Sequence, residues 1–159
     1  MSYPRLAGAS AQIGGPATFV VVPRNSPDRE RWVADSPLIL EALLPALVSG
    51  AQVNAQLVGA CFVRRVLPYS RGTGPTAPHF NGYVVSRMAT QRTPEGEHLE
   101  VFLKKGTDPE KAYNVGDRFL QAILLVAFAQ QGGTYPGDQL ELAVTITGDE
   151  IVSATIGEQ

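Results

Sequence analysis

The sequence predicts a mainly β protein with minor α structure, a small antiparallel barrel preceded by an N-terminal strand and helix. From Gln52 onward, apolar residues recur with the period of two that is typical of strands, and turns rich in glycine and proline separate the runs. Upstream, Ser36 and Pro37 precede a long apolar run, which is the clearest helix start in the chain. A length of 159 residues suits one domain with a core. We therefore expect an N-terminal arm, strand and apolar helix over residues 1–51 and a barrel-like domain over 52–159.

The N-terminal segment begins with three short parts. Glycine, alanine and serine dominate residues 1–16, which predicts a loosely packed arm. Thr18–Val22 is mostly β-branched and predicts a short strand. Asn25–Asp35 is polar and turn-forming, and we expect its Trp32, the only tryptophan of the chain, to fold back as an anchor.

An apolar helix is predicted over residues 38–48. Ser36 is a suitable N-cap, and Pro37 suits the first helical position. Apolar side chains occur nearly all round the helix, and Glu41 is its one charged residue, so we expect burial on almost every side, in the fold or at a subunit contact. Pro45 should kink the helix.

Three strands of the barrel are predicted between residues 53 and 103. The first is Val53–Leu67 with Gly59 as a bulge, and a glycine- and proline-rich loop, Ser70–Pro78, follows it. Phe80–Arg92 is the second strand, and a Thr-Pro-Glu-Gly-Glu turn makes His98–Leu103 its antiparallel partner. Four residues of the second strand are expected on one face: Tyr83, Val85, Arg87 and Ala89. We expect the loop to be mobile and to carry function at the rim of the barrel.

The C-terminal part contains one ambiguous segment. Residues 107–114 predict a short capped helix or a turn. In residues 115–131, leucine and alanine favour a helix, whereas the preceding turn and the aromatic and β-branched residues favour a strand, which is the preferred prediction. Gln139–Thr147 alternates well and a Gly-Asp turn leads into Ile151–Ile156, so these two runs predict a hairpin.

This succession of strands and turns resembles a known family. The residues that carry the resemblance are Leu57–Gly59, Phe80–Arg92, Glu95–Phe102 and Val115–Phe119. They are similar to single-stranded-DNA-binding proteins of the oligonucleotide/oligosaccharide-binding (OB) fold, in which a glycine-bearing strand, a strand ending in basic residues, a Gly-Glu turn and a Gly-Asp-type turn follow one another. The resemblance covers about residues 52–147, and it implies an OB-like barrel that binds single-stranded DNA or RNA. The base-stacking tryptophans and the acidic C-terminal tip of that family are absent from this chain.

Charge is distributed unevenly along the chain. Residues 52–106 hold seven basic residues against three acidic ones, whereas the net charge of the whole chain is −2. The end of the chain from Gly137 carries five acidic residues and no cation. Local positive potential attracts polyanions, and a pI near 5.7 means that such binding must use one face.

The positive segment supplies the candidate nucleic-acid-binding residues. Cations would contact phosphates, and exposed aromatic rings would stack on bases. The candidates are Arg64, Arg65, Tyr69, Arg71, His79, Phe80, Tyr83, Arg87, Arg92, Lys104 and Lys105. We expect one basic face that includes Arg64, Arg65, Arg87 and Lys104. The alternative is that the cations are solvated at strand ends and that the rings fill the core.

Residues suited to catalysis or metal binding are sparse. Cys61 is the only cysteine and lies in an apolar run, which excludes an intrachain disulfide and a multi-cysteine zinc site. His79 and His98 have no second ligand at metal-binding spacing. The glycines of Ser70–Pro78 lack the Lys-Ser/Thr of a phosphate-binding loop. We therefore expect a non-catalytic protein without a cofactor.

A structural or assembly subunit, of a phage particle or another oligomeric complex, is the second function that the sequence supports. The N-terminal arm, the helix 38–48 and the apolar strip 119–129 offer more apolar surface than a small barrel hides. Both functions are compatible with a homo-oligomer. No membrane partner is expected, because the longest apolar run, Ala122–Ala129, is far shorter than the roughly 20 residues of a membrane span. The expected location is the cytoplasm, or a phage particle for the alternative function.

Overall fold

The protein is mainly β, as the sequence predicts. The computed structural model describes residues 4–23, 26–49, 51–67, 80–130 and 140–158. Strands make up 56% and helices 19% of the described residues, which confirms the predicted fold class at this level. The elements are β1 (Arg5–Gln12), β2 (Ala17–Val22), β3 (Glu30–Ala34), α1 (Pro37–Ser49), β4 (Ala55–Val58), β5 (Phe62–Val66), β6 (Phe80–Thr93), β7 (Gly96–Lys105), β8 (Lys111–Val115), α2 (Arg118–Gln130), β9 (Leu140–Thr147) and β10 (Glu150–Glu158). The predicted loop Ser70–Pro78 lies outside the described residues.

All ten strands of the described residues belong to one mixed sheet. Its order is β4-β5-β3-β2-β1-β10-β8-β7-β6-β9, and β9 also pairs with β10. Each of the strands β6 to β10 pairs with two others of this group, so a path along the pairings returns to β6. Three of the pairings are antiparallel, β6–β7, β7–β8 and β9–β10, and two are parallel, β8–β10 and β6–β9. A regular closed barrel must return to its first strand in the same direction, which requires an even number of antiparallel contacts. The sheet does not close, so the predicted barrel is not confirmed.

The two halves of the chain repeat one topology. In unit 1 (β1 to β5 with α1) and in unit 2 (β6 to β10 with α2), three antiparallel strands precede a 13-residue helix and a hairpin. In each unit the third strand also meets the fifth in parallel at one residue pair. The backbone hydrogen bonds at this point match, since Val33 N donates to Cys61 O at 2.8 Å and Asn114 N donates to Asp149 O at 2.7 Å. The predicted boundary between residues 51 and 52 falls inside unit 1, between α1 and β4.

The same irregularities recur in both units. The first strand of each unit bulges against the second, at Ala7 in β1 and at Ser86 in β6. The fifth strand of each unit bulges against the fourth, at Arg64 in β5 and at Val152 in β10. Because the four bulges lie at matching positions, equivalent residues of the two units can be identified by counting along the strands from the bulges.

The predicted N-terminal arm is wrong, because residues 5–12 form the strand that joins the units. β1 pairs with β2 on one side and with β10 on the other. Its Ala9 and Ala11 are buried in the core. Gly8 lies opposite Gly157, and a Cβ on Gly8 would lie 3.1 Å from the Ile156 carbonyl oxygen. Gly8, one of the small residues that suggest a flexible arm, instead allows two strands to approach closely.

Helix α1 is confirmed at its predicted start. Leu40 N donates to Ser36 O at 3.0 Å, and Pro37 is the first helical residue. The fold itself does not bury the helix on nearly all sides, because Leu38 is 74% exposed and Pro45 also faces solvent, whereas Leu43 is fully buried. Burial of the exposed side at a subunit contact stays a prediction. The helix lies against β1, β3, β5 and α2, so one of its sides remains uncovered.

The preferred strand over residues 115–131 is wrong, because Arg118–Gln130 forms helix α2. Asp117 is its N-cap, and its Oδ1 accepts hydrogen bonds from Phe119 N at 3.0 Å and from Leu120 N at 3.1 Å. The Gly-Asp pair that suggests a tight turn into a strand therefore caps a helix. Neither α1 nor α2, the helices of the described residues, is long and apolar enough to cross a membrane.

Three further segments form strands where the sequence predicts something else. The single strand 53–67 is the hairpin of β4 and β5, and Gly59, with a φ of +66°, lies in its turn rather than in a bulge. The helix or turn predicted over residues 107–114 is a turn only at its start, where Asp108 N donates to Lys105 O at 3.1 Å, and β8 takes its place from Lys111 onward. The polar segment before α1 contains β3, on which Trp32 is 4% exposed. Its burial agrees with the predicted anchor.

The remaining strands follow the prediction. β2 matches the run at Thr18–Val22, and β6 and β7 form the predicted hairpin. The C-terminal hairpin of β9 and β10 is also confirmed. In each of these cases a turn signal sits directly beside an alternating run, so local sequence suffices to define the element.

Candidate nucleic-acid interface

The structure distributes the predicted site residues over separate strands. Arg64 and Arg65 lie on β5, whereas Tyr83, Arg87 and Arg92 lie on β6 and the predicted lysines lie on β7. In the strand order, β5 is six positions from β7, or about 29 Å along the sheet at about 4.8 Å per strand. The two arginines of β5 are therefore not brought beside the cations of β6 and β7 along the sheet.

Four other predicted residues lie wholly or partly outside the description. Tyr69, Arg71 and His79 lie outside the described residues. Phe80 begins β6 and pairs with Leu140 of β9, and its side chain also lies outside the description.

The bulge at Ser86 separates residues that were expected on one face of β6. Val85 lies opposite the buried Leu103, but Arg87 lies opposite Phe102. Adjacent residues of β7 point to opposite faces of the sheet, so Arg87 and Val85 do as well. The expectation that Tyr83, Val85, Arg87 and Ala89 share one face is wrong for this reason.

Two tyrosines and two lysines meet on the core-facing side of β6, β7 and β8, at the end where Leu103 is the last buried residue of β7. Tyr83 lies opposite Lys105, and the Lys105 Nζ is 5.0 Å from the Tyr83 ring centroid. The Lys111 Nζ is 5.5 Å from the ring centroid of Tyr113, and Lys111 lies opposite Leu103. Both lysines are exposed, and both rings are half-buried against the core. We call Tyr83, Lys105, Lys111 and Tyr113 the lysine–tyrosine surface.

The opposite face of the same strands carries a second cluster. The Arg87 guanidinium lies 4.3 Å from the Phe102 ring centroid, and its Nε donates to Glu110 Oε1 at 2.9 Å. The Ser86 hydroxyl contacts both Glu110 Oε2 and, at 3.0 Å, the Phe102 carbonyl oxygen. Lys104 lies on this face opposite Val84. The carboxylate makes this cluster less receptive to an anion than the lysine–tyrosine surface.

The pKa of Glu110 is lowered by its contacts with Ser86 and Arg87. The hydrogen bond from Ser86, followed by that from Arg87, lowers the pKa of Glu110 below its ordinary value of 4.5. Because the folded-state pKa is below the unfolded one, ionised Glu110 favours the fold at neutral pH, and this contribution is lost as the pH falls through the folded pKa. We expect carboxyl NMR titration to show the low pKa and Ser86→Ala to raise it. A titration centred at 4.5 in both proteins would contradict these contacts.

A cleft of about 310 Å³ separates the end of the β6–β7 hairpin from α2. The residues that line it are Thr90, Gln91, Arg92, Glu97, His98, Leu99, Arg118, Gln121 and Leu125. Gln121 is 7% exposed, and its Nε2 donates to Glu97 O at 3.2 Å and to Val115 O at 3.0 Å. Arg118 pairs with Glu41 of α1. Arg92 thus lies in this cleft, away from the lysine–tyrosine surface.

Lys111 and Tyr113 are site residues that the sequence reasoning missed. Their Lys-x-Tyr spacing places both side chains on one face of a strand. This spacing indicates a shared face only if residues 111–115 form a strand. The turn-forming residues before them predict a helix or turn instead, so the sequence does not group Lys111 with Tyr113.

Comparison with protein-family models, with curated proteins and with solved structures found no match for this chain. Across the described ranges, no three His, Cys, Asp or Glu side chains lie close enough together to hold a metal ion.

Proposed function

We propose that this protein is a non-catalytic accessory protein that binds single-stranded DNA or RNA through its lysine–tyrosine surface. The observation that supports the proposal is the placement of two tyrosine rings, each with a lysine ammonium over it, on one face of neighbouring strands. Single-stranded nucleic acids need both components, an aromatic face for a base and a cation for a phosphate.

The pairing of each lysine with a ring suggests how binding proceeds. A base that stacks on Tyr83 or Tyr113 displaces the ammonium from the ring face. The long lysine side chain then carries its charge to the adjacent phosphate, which releases a condensed counterion. Because the tyrosines are half-buried against the core, their orientation is fixed before binding and little ordering entropy is lost.

The charge pattern favours this surface over the other face of the strands. Arg87 is already engaged by Glu110, so a phosphate would have to displace a carboxylate. Lys105 and Lys111 contact rings instead, and a cation–π contact at an exposed site is worth only about 0.5–1 kcal/mol. Moving either lysine to a phosphate therefore costs little.

The proposal is tested by fluorescence anisotropy with a labelled 20-mer of oligothymidine at two salt concentrations. We expect Tyr83→Ala and Tyr113→Ala each to weaken binding by about 1–3 kcal/mol, or about 5- to 150-fold. Lys105→Ala should also lower the slope of log K against log salt by about 0.7, the value for one phosphate of a single strand.

Lys104→Ala is the matched control, because Lys104 is the neighbouring exposed lysine on the opposite face of β7. It should change affinity and salt slope much less than Lys105→Ala does. Equal effects of the two substitutions would contradict the proposed surface, and an absence of binding at low salt would contradict the proposed function.

A structural or assembly subunit is the second candidate function. The supporting observation is apolar exposure on the helices, at Leu38 of α1 and at Leu125 and Phe128 of α2, the last two being about 40% exposed. If these side chains form a subunit contact, Phe128→Ser should reduce the oligomeric mass measured by light scattering. A purely monomeric wild-type protein at high concentration would contradict this candidate.

A further inference from the structure

The sheet contact between unit 1 and unit 2 runs head to tail, beside the packing of α1 on α2. It joins the first strand of unit 1, β1, to the fifth strand of unit 2, β10, over five residue pairs from Gly8–Gly157 to Gln12–Ser153. Each unit has both a first and a fifth strand, so a contact that uses one of them from each unit leaves the other one of each unit free for the same kind of contact. The unused ones are the first strand of unit 2, β6, and the fifth strand of unit 1, β5.

The unused surface on β6 is exposed. Thr90, Gln91 and Arg92 of β6 all face solvent, and Thr90 is exposed where its counterpart in β1, Ala11, is buried. Among the described residues, this stretch of β6 pairs with β7 and with no strand on its other edge. The 310 Å³ cleft beside α2 lies against the same stretch.

The unused surface on β5 is exposed as well. Arg64 and Arg65 face solvent. In the described part of the chain, the edge of β5 that faces away from β4 pairs with β3 at Phe62 alone. The matching edge of β10 is the one that β1 covers.

We propose that the edges of β6 and β5 bind each other between two copies of this chain, in the way that β1 binds β10 around Gln12 and Ser153. Counting from the bulges gives the register. Inside the chain, Gln12 lies five residues after the bulge of β1 and pairs with Ser153, which lies one residue after the bulge of β10. The residues at the same distances from the bulges of β6 and β5 are Gln91 and Arg65, so Gln91 of one copy lies opposite Arg65 of the other. Ile13 N donates to Val152 O at 2.9 Å, and the same count places Arg92 opposite Arg64.

The two arginines make this contact dependent on charge. Like charges directly opposite each other on paired strands repel, and charged residues on an edge restrain edge-to-edge association. The internal contact has Ile13 and Val152 at the same positions and has no such repulsion. Self-association should therefore be weak at low salt and should strengthen as salt screens the arginines, opposite to the salt dependence of nucleic-acid binding. The inference does not depend on the proposed function.

A charge-reversal experiment tests the contact by sedimentation velocity. Arg92→Glu, and separately Arg64→Glu, turns the repulsion into attraction, so each should lower the dissociation constant for self-association at least about tenfold and yield multiples of the 17.0 kDa protomer. The double variant has two acids opposite each other and should return to the wild-type mass. Lys104→Glu is the control, because it makes the same charge change away from both edges. Masses unchanged in both single variants, or raised equally by Lys104→Glu, would overturn the proposal.

Cysteine cross-linking tests the register independently, in a Cys61→Ser background. Gln91→Cys combined with Arg65→Cys should form disulfide-linked dimers under mild oxidation and high salt. Glu100→Cys combined with Arg65→Cys should not, because Glu100 lies on β7, on the paired side of β6. Equal cross-linking of the two pairs would show that the contact does not use these edges.

Discussion

Leu43→Asp should unfold the protein. Leu43 lies on the side of α1 that packs on the core, and its side chain is fully buried. An unpaired carboxylate at this position costs several kcal/mol, which is a large part of the about 5–15 kcal/mol by which domains are usually stable. We expect loss of the cooperative thermal transition, or a fall in Tm of well over ten degrees, measured by circular dichroism.

Leu38→Asp is the matched control, since it makes the same substitution five residues earlier in the same helix. Leu38 is 74% exposed, and an acid in the first turn interacts favourably with the helix dipole. Its effect on unfolding free energy should stay within about 0.5 kcal/mol. Similar destabilisation by both substitutions would mean that α1 is covered on both sides, in the fold or by another subunit.

Ala11→Asp should also destabilise the protein by several kcal/mol. The sequence assigns residues 1–16 to a loose arm, in which an added acid would be harmless, but Ala11 is 5% exposed and lies between β2 and β10. Burial of the carboxylate and the extra volume both oppose folding. Urea denaturation should show a lower midpoint with an unchanged m-value.

Thr90→Asp provides the comparison from the other unit, because Thr90 is four residues after the bulge of β6, as Ala11 is in β1. Thr90 is exposed, so its substitution should leave the midpoint nearly unchanged. If Ala11→Asp were equally harmless, β1 would not be part of the core and the head-to-tail contact of the two units would be wrong.

Some of the fold is readable because its signals are local. A Pro-Glu-Gly turn beside alternating residues defines the hairpin of β6 and β7, and Ser36-Pro37 defines the start of α1. The internal repetition is not readable in this way, because its two copies share topology and bulge positions while their strands differ in length and burial.

The candidate site depends on features that no local pattern contains. Tyr83 and Lys105 were among the predicted residues, but their placement on one face with Lys111 and Tyr113 requires the pairing of β7 with β8. The sequence groups Arg64 with Arg87 because they are close along the chain, whereas the sheet places them on β5 and β6, near its opposite ends.

Local sequence accounts for the mainly β class, the hairpins of β6 with β7 and of β9 with β10, and the start of α1, because turn chemistry and alternation act between residues a few positions apart. Local signals, the leucine and alanine content and the Asp117 cap, also account for the helix of residues 118–130. Tertiary structure alone decided that the glycine- and alanine-rich segment 5–12 is a central strand. It also decided, through the bulge at Ser86, which face of β6 carries Arg87. Each of these outcomes depends on a partner far away in the chain. Such a partner can reward burial in a conformation that local propensity does not favour.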